Sequence, residues 1–257
     1  MSLSRSVGLS LAGILTVASL GWIVLGHQPV AAHDESADPA LLSQPVQPQP
    51  PQETPKTTPS QELTELVNQG RGQRNDGDYD AALATFKKAL AIAHTGKDLP
   101  GQAMVLNNIA SILRYQSAES GSLPLAKKSM EVYEQALDMA QRAGSKYEEG
   151  YARLYLGELT AKHGEASKAL LQMEKALALF EEVENDYYVA RTLARIGETT
   201  LYKSNKPAEA LPYFERSLPL FRKAEVPHEA LVAIDHMKVA YTKLMANNKP
   251  QDPTILE

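Results

Sequence analysis

A chain of 257 residues, 43% hydrophobic and 22% charged, holds enough apolar material for one large domain or two small ones; with aromatics at only 6%, its core must pack through Ala and Leu, as helix-on-helix proteins do. With 26 Lys plus Arg against 31 Asp plus Glu, the net charge of −5 argues against a general nucleic-acid binder, which needs a basic excess or stripe. The absence of Cys excludes disulfides, thiolate zinc sites, cysteine nucleophiles and a lipid-modified N-terminal Cys.

Residues 1–32 read as an export segment. Arg5 supplies a positive start, and Val7 to Leu25 run 19 residues without a charge. Pro29 then breaks the helix, and Val30-Ala31-Ala32 offers the small residues at which a signal peptidase cuts. The apolar run exceeds the roughly 7–15 residues of a secretory signal and reaches the ~18 that span a bilayer, so a cleaved signal and a retained anchor both stay open. In either case Arg5 stays inside while the flank of Asp34, Glu35 and Asp38 crosses. The expectation is an extracytoplasmic protein, periplasmic or in an equivalent lumen, attached to the inner membrane through residues 7–25 or not at all. Residues 33–60 hold seven prolines among Gln and Thr, which predicts a disordered spacer of polyproline II character reaching up to roughly 80 Å.

From Gln61 the chain repeats. A small residue, a large apolar one four later and a small one three beyond recur as Ala82/Phe86/Ala89, Ser129/Tyr133/Ala136, Ala169/Met173/Ala176 and Ala210/Phe214/Ser217. Successive last members are 47, 40 and 41 residues apart. Spacings of four and seven put each trio on one helix face. A first helix precedes each, with Gly70, Ala110, Gly157 and Gly197 at its close-contact position. Gly77, Gly164 and Asn205 suit the left-handed turn between the helices, and Pro207 suits a helix start. The second helices run out near Gly96, Gly144, Asn185 and Pro227. The second repeat carries about seven extra residues, expected as a Ser- and Gly-rich loop over Gln116–Leu123. Pro219, deep in the last second helix, is expected to remove a backbone bond and kink it. His228 to Ala246 forms one more helix, the cap that an open solenoid end requires, and residues 249–257 are expected to be a disordered tail.

These residues resemble the tetratricopeptide repeat, and the period near forty is similar to its kinesin-light-chain-like variety. Leu106-Asn107-Asn108-Ile109-Ala110 looks like a first helix of that subfamily. The resemblance implies an all-α, right-handed solenoid over 61–248, of about four repeats plus a cap, with first helices lining a concave groove that binds a peptide or protein surface. In that family positions two, five, six, nine and twelve of a first helix face the groove. With the Gly70-type residue as position eight, the implied lining is Thr64, Val67, Asn68, Arg71 and Arg74, then Met104, Asn107, Asn108, Ser111 and Arg114. Tyr151, Leu154, Tyr155, Glu158 and Ala161 follow, then Arg191, Ala194, Arg195, Glu198 and Leu201.

Nine of these residues form the candidate binding set: Asn68, Arg71, Asn107, Asn108, Arg114, Tyr151, Tyr155, Arg191 and Arg195. Asn68 and Asn108 share a repeat position, and an amide can pair with extended backbone whatever its side chains. Tyr151 and Tyr155 lie one turn apart as an anchoring shelf, and Arg191 and Arg195 likewise as a carboxylate clamp. Plainer roles stay open beside these: amides bonding a neighbouring repeat, arginines paired with Glu158 and Glu198, tyrosines in the core. A clamp for acidic chaperone tails is not supported. It wants Lys and Asn where Val67 and Arg71 stand, and Lys and Arg where Tyr151 and Tyr155 stand; only Asn108 matches.

No zincin, P-loop, nucleophile-elbow or dinucleotide motif occurs. The six His are scattered, and the acidic run Glu181-Glu182, Glu184 and Asp186 reads as a solvated face. The expectation is therefore a non-enzymatic scaffold without cofactor or metal, with another protein or peptide as partner. A self-associating module and an accessory domain of cell-wall or polysaccharide machinery are the alternatives.

Overall fold

The computed structural model describes residues 59–247; the expected export segment, all but the end of the proline-rich spacer, and the tail lie outside the described residues. Among those described, no helix is long and apolar enough to cross a membrane. The described residues form four helix pairs and a closing helix: α1 (Pro59–Asn75) with α2 (Tyr79–Thr95), α3 (Leu99–Ser120) with α4 (Leu123–Ala143), α5 (Lys146–Lys162) with α6 (Ala166–Glu182), α7 (Asp186–Glu198) with α8 (Pro207–Lys223), and α9 (Pro227–Asn247). The solenoid therefore begins two residues before Gln61, on Pro59, a residue suited to a first turn because it lacks the N–H that a helix start leaves unpaired.

Every member of the repeating trios is buried to within 1% of full burial, so the small-large-small pattern is the core. The small residues at the crossing are required by distance: a Cβ on Gly70 would meet two ring carbons of Phe86 at 2.8 Å, and one on Gly197 would meet Phe214 in the same way. The two departures from Ala in the trios are satisfied by hydrogen bonds. Ser129 donates to the Ala110 carbonyl at 2.8 Å and Ser217 to that of Phe214 at 2.9 Å. Because α1 touches α3, α3 touches α5 and α7 touches α9 directly, the first helices make the tighter, inner layer and the second helices the outer one.

The turns follow a rule only partly visible in residue type. Gly77, Gly164 and Asn205 take φ of +81°, +88° and +52°, as their chemistry allows. Each second helix ends one or two residues before another left-handed residue, in order Lys97, Gly144, Glu184 and Glu225. Three of these four carry a Cβ, so the demand of repeat stacking overrides local preference. Gly96, the expected stop, is itself right-handed at φ −76°.

One expectation is corrected. The seven extra residues of the second repeat do not form a loop; they lengthen α3 and α4 to 22 and 21 residues against 17 in α1 and α2. Seven residues make about two helical turns, so both helices extend without rotating their buried faces. Only Gly121 and Ser122 connect them, and Ser122 caps α4 by accepting from the Leu125 N–H. Helix α8 continues through both Pro212 and Pro219. These prolines are seven apart on the exposed side, where water can satisfy the carbonyls they strand. A feature without a forecast is the π turn Thr199–Lys203, which continues α7. It absorbs one inserted residue: Gly197 and Ala210 are 13 apart, where Gly157 and Ala169 are 12.

Helix α9 closes the last repeat by burying Ala230, Ala233 and Ala240. His236 stacks on Phe214 at 5.4 Å, with Nδ1 2.9 Å from the Tyr202 hydroxyl and Nε2 3.1 Å from Glu198.

Candidate functional site

The inner layer carries two polar clefts separated by an aromatic wall. The first, of about 220 Å³, lies where α1 and α3 face the starts of α5 and α7; its lining is Arg71, Arg74, Asn107, Asn108, Tyr147, Glu148, Tyr151 and Tyr188. Four of the nine candidate residues meet here. Asn107 and Asn108 are both nearly buried and structurally engaged. The Asn107 amide donates to the Glu148 carbonyl at 3.1 Å and to its carboxylate at 2.7 Å, bonding across to the neighbouring repeat. Asn108 donates to the Met104 carbonyl at 2.8 Å and accepts from Arg74 at 3.2 Å. Burial pushes the Glu148 carboxyl above the usual carboxylate range, against the opposing pull of Asn107 and Arg71.

The wall is built on Tyr155. It is only 4% exposed and stacks on Tyr133 with centroids 5.8 Å apart, so it offers no shelf to a ligand. Tyr151, half-buried, keeps the outward position alone and shares its hydroxyl with Ser111 at 2.9 Å. Arg114 is packed against the rings of Tyr115 and Tyr155, 4.5 and 4.6 Å from their centroids, while Arg191 lies 5.6 Å over Tyr155. Burial works against both guanidinium charges. Glu158 and the tyrosine oxygens more than offset it, and both pKa values stand above the ordinary arginine value.

The second cleft, also about 220 Å³, lies at the far ends of the first helices and includes Arg114, Glu158, Lys162, Arg195, Glu198 and residues of the π turn. Glu158 is its hub, 2.9 Å from Arg195 and 3.7 Å from Arg114. Arg195 also holds Glu198 at 2.6 Å. Arg191 and Arg195 therefore do not form one clamp: Arg191 donates to the Tyr187 hydroxyl at 3.0 Å, and Arg195 is committed to two glutamates. Asn68 is exposed and joins neither cleft. Of the wider lining inferred by counting positions, Val67, Leu154 and Leu201 lie in the core.

The count missed Tyr147, Glu148 and Tyr188 because α5 and α7 begin before position one of the family scheme. The signal was available: Tyr147 stands four residues before Tyr151, one turn along the same face. Among the described residues no group of acidic and His side chains could hold a metal ion.

The tetratricopeptide repeat model matches residues 64–135 and 152–223. No curated protein sequence matches. Among solved structures, a Podosopora anserina protein described as a kinesin light chain with nearly identical TPR-like repeats is 15% identical at a TM-score of 0.55, over 74% of this chain and 89% of its own. A Rap protein complexed with Competence and Sporulation Factor is 19% identical at a TM-score of 0.59, over 76% of this chain and 52% of its own. A signal-transduction ATPase with a tetratricopeptide repeat sensor, from Pyrococcus horikoshii, is 14% identical at a TM-score of 0.58, over 73% of this chain and 28% of that one. At these identities the likeness is one of fold.

Proposed function

The chain belongs to the tetratricopeptide repeat family, and on that premise we propose that it is a non-enzymatic scaffold whose inner layer holds a peptide segment or protein surface. The observation that carries this reading is a reversal of charge. The chain as a whole is acidic, yet its two inner clefts and their wall present Arg71, Arg74, Arg114, Arg191 and Arg195 against Glu148, Glu158 and Glu198. A surface with a cationic excess attracts and orients a partner of the opposite sign, so the partner is an acidic segment. Half-buried Tyr151 and Tyr188 give it rigid apolar contact beside the charges.

The proposed setting is the outer side of a bacterial-type inner membrane, with assembly of an envelope complex as the role. It is supported by the uncharged run from Val7 to Leu25 and the acidic flank after it. Trp22 is the only Trp, so its fluorescence in the exported product reports whether the segment was retained.

The test is capture of partners from envelope extract by the full chain and by Arg71→Ala/Arg74→Ala, over a series of salt concentrations. The reading expects a set of proteins that the wild type holds at low salt, releases at high salt and loses in the double variant, with circular dichroism unchanged. Equal capture by a folded double variant refutes it.

A further inference from the structure

The first cleft contains three formal charges that are not paired with one another. Arg71 makes no hydrogen bond or ion pair among the described residues, and Arg74 donates only to the neutral oxygens of Asn108 and Asn75, at 3.2 and 3.3 Å. Facing them, the half-buried Glu148 carboxylate accepts from the neutral Asn107 amide alone. Flipping that amide would set its oxygen against the carbonyl and the carboxylate of Glu148, two acceptors, so its orientation is fixed. Fixed in this way, Asn107 leaves Oδ1 buried with no partner, a second acceptor in need of a donor. The remaining side is tyrosine. Tyr147, Tyr151 and Tyr188 stand 5.5 to 6.5 Å apart, centroid to centroid.

We propose that this cleft binds a free α-amino acid, its carboxylate on Arg71 and Arg74 and its ammonium on Glu148, beside the tyrosine rings. A ligand of one sign answers only half of the site. An anion on the arginines takes up the pull that Arg71 exerts on the half-buried Glu148 carboxylate, and a cation meets two arginines. A peptide amide N–H could reach an acceptor but brings no charge to neutralise the carboxylate. An ammonium does so, with the rings of three tyrosines lining the cleft beside it. The guanidinium fork is matched to a carboxylate. The α-amino acid carries both groups on one carbon, in a size suited to a cavity of about 220 Å³. The site is a small-molecule site on the inner layer; it shares Arg71 and Arg74 with the proposed segment-binding surface, and direct titration with free amino acids reads it whether or not a segment is captured.

Isothermal titration of the full chain with a panel of free amino acids tests it. The tightest binder is then repeated as its N-acetyl and its carboxamide derivative. The expected result is saturable binding of at least one free amino acid, weakened about tenfold or more by either blocking group, a change of ~1.4 kcal/mol. Arg71→Gln and Glu148→Gln should each weaken it about as much, while Asn68→Ala, outside the cleft, leaves it unchanged. Equal affinity for the N-acetyl form overturns the proposal in favour of the C-terminal residue of a peptide. Absence of binding to a folded chain at millimolar ligand, or undiminished binding to both folded cleft variants, overturns it outright.

Discussion

Two glycines two residues apart in α1 make opposite predictions. In Gly70→Ala the new methyl lies 2.8 Å from Cε1 and Cζ of Phe86, whose ring has no exposed surface. Carbon atoms rest at about 3.5–4 Å, so ring or helix has to move by up to roughly 1 Å within a packed core. Overpacking of that kind costs about 1–3 kcal/mol, and replacing Gly by Ala inside a helix returns about 1 kcal/mol. The net expectation is a loss of about 1 kcal/mol. Gly72→Ala adds the same methyl at an exposed position with nothing within 4 Å, so only the helix preference remains and stability rises by about 0.5–1 kcal/mol. Urea denaturation of the full chain followed by far-UV circular dichroism reads both midpoints. Shifts in the same direction refute the close-contact account of the repeat.

Glu158→Ala strips Arg114 and Arg195 of their shared carboxylate and should cost about 3 kcal/mol, more than loss of an exposed pair such as Lys128–Glu131, measured by the same denaturation. Glu184→Gly and Glu225→Gly place glycine where the backbone is already left-handed at φ +54° and +56°; each should raise the midpoint, by up to about 1 kcal/mol. Glu148 is held above its ordinary range by burial, so its ionisation favours the unfolded chain. Its contribution is fully favourable below about pH 4.5, the ordinary Glu value, and is lost as pH rises through the elevated folded value. Glu148→Gln should therefore be more stable than wild type at neutral pH, with the gap narrowing as pH falls; a gap that widens on acidification contradicts the burial argument.

The scaffold was legible because its determinants are steric and periodic. Phe86 opposite Gly70 and Phe214 opposite Gly197 need a small residue facing a large one, and that requirement recurs wherever helices cross closely. Pro207 and Asn205 declare a boundary through their own backbone preferences. The left-handed Lys97, Glu184 and Glu225 could not be read from residue type, because stacking imposes that conformation on side chains that do not favour it. The π turn was written as a single extra residue between Gly197 and Ala210, visible only as a change of spacing from 12 to 13.

The clefts were legible in position but not in role. Counting along first helices brought Arg71, Asn107, Asn108 and Tyr151 to one cleft, because periodicity fixes which face a residue occupies. It could not tell Tyr155 from Tyr151. Tyr155 is buried by Tyr133, a residue of α4, and depth depends on how neighbouring repeats stack. The partners of Asn107 and Arg195 were likewise set by Glu148 from the following repeat and Glu158 from the preceding one, 41 and 37 residues away along the chain.

The central claim, that the inner layer of first helices is the working surface, is tested most directly by site-specific photocrosslinking in intact cells. A benzophenone amino acid is placed at Arg71, which lines the first cleft on α1, and separately at Leu171, 51% exposed on the outer helix α6. Discrete crosslinked partners are expected from position 71 and none from 171. Partners captured from 171 with none from 71 would place recognition on the outer layer and contradict the proposed function.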